Sequence, residues 1–178
     1  MSLLSHNKLL ELQKQGVIEN SLPGHVNSAS IDITLGEFIL VESHTPKIIS
    51  LRNRQPIGVH RFSIREFGWT LKPGDFILAS SKQVFNLPDW VSGEYKLKSS
   101  MARIGLEHMN AGWMDAGWHG SVLTLELKNV SQYHSIVIHE GDLIGQVTFF
   151  EHANVPADKS YAVRGRYNND TEVSGIKP

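Results

Sequence analysis

Short segments in which apolar and polar residues alternate with period two recur along this 178-residue chain, the pattern of strands with one buried face. The first segment differs. Ser5 precedes Leu9, Leu10 and Leu12, and Gly16 closes the run, which predicts a short helix with Ser5 in capping position. Alternation begins after Pro23-Gly24 and predicts strands at 30–36 and 37–42. Residues 44–55 are polar and patternless and predict a surface loop, and 62–71 predicts a weak strand or two. Leu71-Lys72-Pro73-Gly74-Asp75 reads as a turn into a strand at 76–80. Further strands are expected at 83–87, 92–97, 121–129, 135–138 and 143–150, with a short serine-capped helix from Ser99 to Leu106. Many short strands separated by Gly and Pro predict a mainly β barrel or jelly roll with few short helices. From about Ala153 the pattern fades, so 153–178 is expected to be a disordered tail or a flap.

Composition narrows the functions open to such a fold. The length suits one domain with a full core. A formal net charge of −1 shows no basic field for nucleic acid, so an anionic ligand must be held by a local cluster. There is no cysteine, which fits a reducing compartment and excludes zinc deaminase chemistry of the H-x-E with P-C-x-x-C type. No apolar run is long enough to cross a bilayer, and no secretory leader is evident; the expectation is a cytoplasmic protein without membrane or nucleic-acid partners. The nine histidines show no metal-ligand spacing, and no protein-held metal is expected.

Chemistry concentrates in two stretches. In Val122-Leu123-Thr124-Leu125-Glu126-Leu127, residues 122, 124 and 126 share one strand face. That face meets either water or a cleft; in a cleft, desolvation raises the Glu126 pKa and suits it to proton transfer. In Lys98-Ser99-Ser100-Met101-Ala102-Arg103, the serines either cap a helix or offer hydroxyls to phosphate, and Arg103 one turn on is either a surface ion-pair partner or a fixed fork of donors. Asp115 precedes Ala116-Gly117, as a turn residue does. Tyr161, Arg164, Arg166 and Tyr167 are either solvated or able to close over a polyphosphate.

At these residues the chain resembles the deoxycytidine triphosphate deaminases of the trimeric dUTPase-like superfamily. Seven segments agree in order. Leu4-Ser5 followed by Gly16-Val17-Ile18 is similar to the opening helix. Ser30-Ile31-Asp32-Ile33-Thr34-Leu35-Gly36, Leu71-Lys72-Pro73-Gly74-Asp75-Phe76 and Ser99-Ser100-Met101-Ala102-Arg103-Ile104-Gly105-Leu106 follow. Asp115-Ala116-Gly117-Trp118, Leu123-Thr124-Leu125-Glu126-Leu127 and Gly141-Asp142-Leu143-Ile144-Gly145-Gln146 complete the set. Lys98 stands for a usual arginine, Asn110 for threonine, Trp113 for a polar residue, Ala116 for proline and Arg166 for lysine. The chain is one residue short between Arg103 and His108 and one residue long between Gly120 and Glu126; the second change requires a bulge or a loop to keep the strand's faces.

The resemblance implies a single dUTPase-like domain over 1–178, a distorted jelly-roll β-barrel assembled as a homotrimer with active sites at subunit interfaces. It implies zinc-independent deamination of dCTP, or of a related deoxycytidine nucleotide, to dUTP and ammonia, with Mg²⁺ carried on the triphosphate. Glu126 is then the general base, and Ser99 and Arg103 orient the water and stabilise developing charge. Ser100, Tyr161 and Arg166 are expected on the phosphates, Lys98 among the substrate-binding residues, Asn110 beside the pyrimidine, the Ala111 carbonyl on the water, and Asp115 on the sugar or base. The G-x-x-D-x-D-Y-R-G loop of dUTP diphosphatases is absent, which favours deamination. A dUTP diphosphatase or bifunctional enzyme is the alternative, and a non-catalytic nucleotide-binding trimer a second one.

Overall fold

The structure is a computed structural model describing residues 2–44 and 47–177. Its elements run in the order β1 (Ser2–Leu3), α1 (His6–Lys14), β2 (Ile18–Glu19), β3 (Ile31–Thr34), β4 (Phe38–Glu42), β5 (Val59–Ser63), β6 (Trp69–Leu71), β7 (Phe76–Asn86), β8 (Val91–Leu97), α2 (Ser99–Arg103), β9 (Leu106–Glu107), β10 (Trp113–Met114), β11 (His119–Asn129), β12 (Ile136–Ile138), β13 (Leu143–Glu151) and α3 (Tyr161–Arg164). One sheet has the order β1-β13-β8-β10, with β3 also on β13. A second has the order β5-β4-β7-β11-β9, with β2 on β7, and β12 pairs with β6 in a small third sheet. The named pairings are antiparallel. The result is the expected mainly β, distorted jelly roll.

The core follows from the alternation. Ile31, Ile33, Ile39, Ile77, Phe85, Leu125, Leu127, Val147 and Phe149 are at most 1% exposed and fill the space between the sheets. Burial of such side chains is worth about 1.5–3 kcal/mol each. Leu9 and Leu12 of α1 close one side of the barrel, and Gly16 at φ 75° ends that helix. Ser5 stands at the N-cap, but its hydroxyl makes no capping bond.

Two expectations are corrected. The strands expected at 76–80 and 83–87 are one strand, β7, with an irregularity between them: Val122 pairs with Val84 but Thr124 with Ser80. The break is filled by side chains, because the Ser81 hydroxyl accepts from Leu123 N at 2.8 Å and the wholly buried Gln83 spans to Thr34. Backbone groups that lose ladder partners there regain them from these polar groups. The helix expected over 99–106 is only the five residues of α2; Lys98, not a serine, holds the cap position, without a side-chain bond. Gly105 at φ 85° turns the chain into β9 instead.

Candidate active site

β11 is the spine of the site. Its inner face carries Leu125 and Leu127, while Val122, Thr124 and Glu126 turn the other way toward a cavity of about 500 Å³. The extra residue expected in this strand is absorbed at its start, where the register shifts between His119 and Ser121. Gly120 occupies the shift at φ 64°, and its N–H donates to Asn86 Oδ1 at 2.9 Å. That bulge restores the alternation and keeps Glu126 on the cavity side, cross-strand from Leu78. Leu78, Val122, Met114 and Trp118 form apolar walls. Against them, burial pushes the Glu126 carboxyl above the ordinary glutamate range, and a backbone hydrogen bond offsets only part of the shift.

Asp115 and Tyr161 line the same cavity. Asp115 begins the expected turn, closed by Trp118 N to Asp115 O at 3.2 Å with Gly117 at φ 86°. Its Oδ1 accepts from Trp113 Nε1 at 2.9 Å. A Cβ on Gly117 would lie 2.1 Å from Ser160 Oγ, so glycine lets the turn press against the segment that begins α3. Tyr161 N donates to Ala116 O at 3.0 Å, which couples Tyr161 directly to the Asp115 turn. Burial raises the Tyr161 phenol, leaving it a neutral donor at ordinary pH.

The C-terminal stretch is ordered against β11. The buried Ser121 donates to Tyr167 O at 2.7 Å and accepts from Asp170 N at 3.1 Å. Trp118 Nε1 also donates to Tyr167 O, at 2.8 Å, and Val122 N to Asp170 O at 2.8 Å. Tyr167, Asp170 and Ile176 thereby become part of the cavity lining, and Asp170 is ion-paired with Lys177. Residues 167–176 thus pack along the start of β11 and border the cavity.

The other sequence-predicted residues lie elsewhere. Ser99, Ser100 and Arg103 are exposed on α2 and do not line the cavity. Lys98 Nζ is bound to Asp32 Oδ1 at 2.7 Å. Asn110 follows Met109 in a left-handed pair, at φ 55° and 57°, and both it and Ala111 are exposed; Arg166 is exposed too. The chain therefore separates Glu126, Asp115 and Tyr161 from the serine-arginine cradle. Sequence reasoning missed Arg54, Leu78 and Asp170 as cavity residues, and the latch role of Ser121. Ser81 and Gln83, which hold the facing strand, carried no signal because local alternation does not register side chains that replace ladder bonds.

Among the described residues no group of three or more His, Cys, Asp or Glu could hold a metal ion, and no helix is long and apolar enough to cross a membrane.

Barrel and cavity together define a protein of the dUTPase-like fold with one desolvated carboxylate in a nucleotide-sized pocket. Residues 3–152 match the family described as dCTP deaminase-like, and the chain belongs to that family. A relative from Methanosphaerula palustris, named dCTP deaminase, dUMP-forming, is 35% identical over 134 residues, 75% of this chain and 71% of its own. One of the same name from Persephonella marina is 30% identical over 168 residues, 93% of this chain and 91% of its own. Among solved structures, the 2'-deoxycytidine 5'-triphosphate deaminase of Agrobacterium tumefaciens has a TM-score of 0.66 at 20% identity, over 83% of this chain and 47% of that one. A dUTPase from phage phi11, solved to show a structural Mg(II) ion, has a TM-score of 0.52 at 16% identity, covering 78% and 86%. Both likenesses concern the fold.

The relatives correct one expectation. They are named as forming dUMP, so dUTP does not stand as the product. The missing diphosphatase loop favours deamination alone, with a bifunctional enzyme as the alternative. A pocket with more than one carboxylate can position more than one water, however, and Asp115 lines the cavity beside Glu126.

Proposed function

We propose that this chain deaminates dCTP and releases dUMP, consuming two waters and yielding ammonia and diphosphate. The observation that carries the reading is Glu126, half-buried and without an ion-pair partner among the described residues, in an apolar cavity shared with Asp115 and Tyr161. Its raised pKa suits a group that takes a proton from water as the oxygen attacks C4, then returns protons to N3 and the departing nitrogen. Asp115, exposed and fixed by the Trp113 indole, is the carboxylate placed to direct the second water at phosphorus. Tyr161 donates to substrate oxygen as a neutral phenol.

Ser99, Ser100 and Arg103 lie on exposed α2, with Ile104, Met109 and Val130 exposed at 44%, 55% and 55% around them. This suits a homotrimer in which one chain's cradle meets the next chain's Glu126 cavity, so that charge building on the attacked ring is met by fixed donors. Asn110 and the Ala111 carbonyl then border the base, with Lys98 and Arg166 toward phosphate. Mg²⁺ enters as counter-ion of the triphosphate rather than in a cage of side chains. Residues 1–178 act as one domain with the tail as its flap, in a reducing compartment such as the cytoplasm.

The test is incubation with dCTP and Mg²⁺, following ammonia and separating nucleotides by chromatography. Equal amounts of ammonia and dUMP are expected. Ammonia with dUTP alone, or no turnover, overturns the proposal.

A further inference from the structure

We propose that Arg54, on the loop between β4 and β5, binds the phosphates of the nucleotide seated against Glu126 in the same chain. This assignment rests on the nucleotide reading of the cavity and deepens it. The loop reads from sequence as patternless surface, yet Ser50, Arg54 and Gln55 line the Glu126 cavity. Its stem is closed by Ser43 N to Gly58 O at 2.9 Å and by Lys47 Nζ to Pro56 O at 3.4 Å, and its tip turns through Asn53 N to Ser50 O at 3.2 Å. Arg54 follows that turn at φ 42°. Left-handed backbone is disfavoured for a long side chain and persists where its surroundings require it, commonly at ligand sites.

Charge is the stronger argument. Three carboxylates line the cavity, those of Asp115, Glu126 and Asp170, and Arg54 is the one Lys or Arg among the described lining residues. Asp170 is offset by Lys177; Asp115 and Glu126 have no salt-bridge partner among the described residues. A triphosphate entering such a pocket is repelled unless a cation meets it, and a guanidinium offers phosphate oxygens paired donors without losing its charge. Several other cations of the chain are committed. Lys98 is bound to Asp32, Arg65 to Glu37 and Glu140, and Arg61 stacks 3.5 Å from the Phe38 ring centre and pairs with Glu172. Arg54 has no ion pair among the described residues. In the trimer proposed above, Arg103 arrives from a neighbour, whereas Arg54 comes from the chain that owns the base.

The experiment measures equilibrium binding of dCTP and of deoxycytidine to Glu126→Gln chains with and without Arg54→Gln, in Mg²⁺. The Glu126 substitution prevents deamination, chromatography of the recovered nucleotide checks that dCTP stays intact, and the indoles of Trp113 and Trp118, which line the cavity, report occupancy by fluorescence. Loss of a charge-assisted contact weakens dCTP about tenfold or more and leaves deoxycytidine unchanged. An unchanged dCTP affinity overturns the assignment. Equal weakening of both ligands also overturns it, because it makes Arg54 a packing residue of the loop. A parent chain that binds deoxycytidine but no dCTP, or neither, removes the nucleotide reading itself, a result distinct from any difference between the two variants.

Discussion

Glu126 is the side chain in the cavity whose burial is costly to the fold and which the proposed reaction requires as its base. Burial raises its pKa in the folded chain, so the folded state holds the proton more tightly than the unfolded chain does. Its contribution to stability therefore falls as pH rises from the ordinary glutamate range through the folded pKa. At neutral pH, Glu126→Gln removes an ionised group from an apolar wall. It is expected to raise the melting temperature, or leave it level, while abolishing ammonia release; a clear loss of stability contradicts the burial argument. The pH profile follows from the same shift. The acid limb of kcat/KM lies above the pH at which an ordinary glutamate titrates, because the base must be ionised to accept a proton. An acid limb at or below that range removes Glu126 as the titrating base. The alternation of Thr124 and Glu126 with Leu125 and Leu127 made this residue visible in the sequence; its cavity was not, because Leu78 on β7 and Arg54 on the β4–β5 loop are far from it in the chain.

At the scale of the element, β11 is aimed by its bulge and held by its latch. The resemblance exposed one surplus residue, and the structure places it at Gly120, whose left-handed backbone and tight surroundings favour glycine. A Cβ there lies 2.5 Å from Asn169 Oδ1. Gly120→Ala is expected to cost about 1–2 kcal/mol and to loosen the Asn169 segment; a neutral effect in chemical denaturation contradicts the bulge. Ser121→Ala removes a buried hydroxyl that bonds both Tyr167 and Asp170, leaving those groups short of partners at about 1–3 kcal/mol. Faster amide exchange over residues 166–176, with little change at β3 or β13, is the expected signature. Uniform protection across the chain assigns the hydroxyl no latch function. The tail was illegible from sequence because its order depends on acceptors and donors supplied by β11, not on apolar residues of its own; among its described residues Val173 is the one buried aliphatic side chain.

At the scale of the whole molecule, the recognised motifs fall into two groups that one chain does not unite. Glu126, Asp115 and Tyr161 share the cavity, whereas Ser99, Ser100 and Arg103 stand on an exposed helix away from it. Assembly across copies makes a sharp prediction. Glu126→Gln and Arg103→Ala chains are each inactive alone. Unfolded and refolded together in equal amounts, they regain about a quarter of wild-type activity, since some interfaces pair an intact cradle with an intact base. No recovery in mixtures shown to contain both chains contradicts a shared site.

The sequence alone determined the β class, the faces of β11 and the turn at Asp115, because these depend on local alternation and on short motifs whose residues are neighbours in the chain. Only the tertiary structure decided that the loop carrying Arg54 reaches the cavity, that residues 167–176 pack along β11 and that β7 is one strand. Each of those depends on hydrogen bonds or close approach between residues far apart in sequence, which leave no periodic trace in either partner.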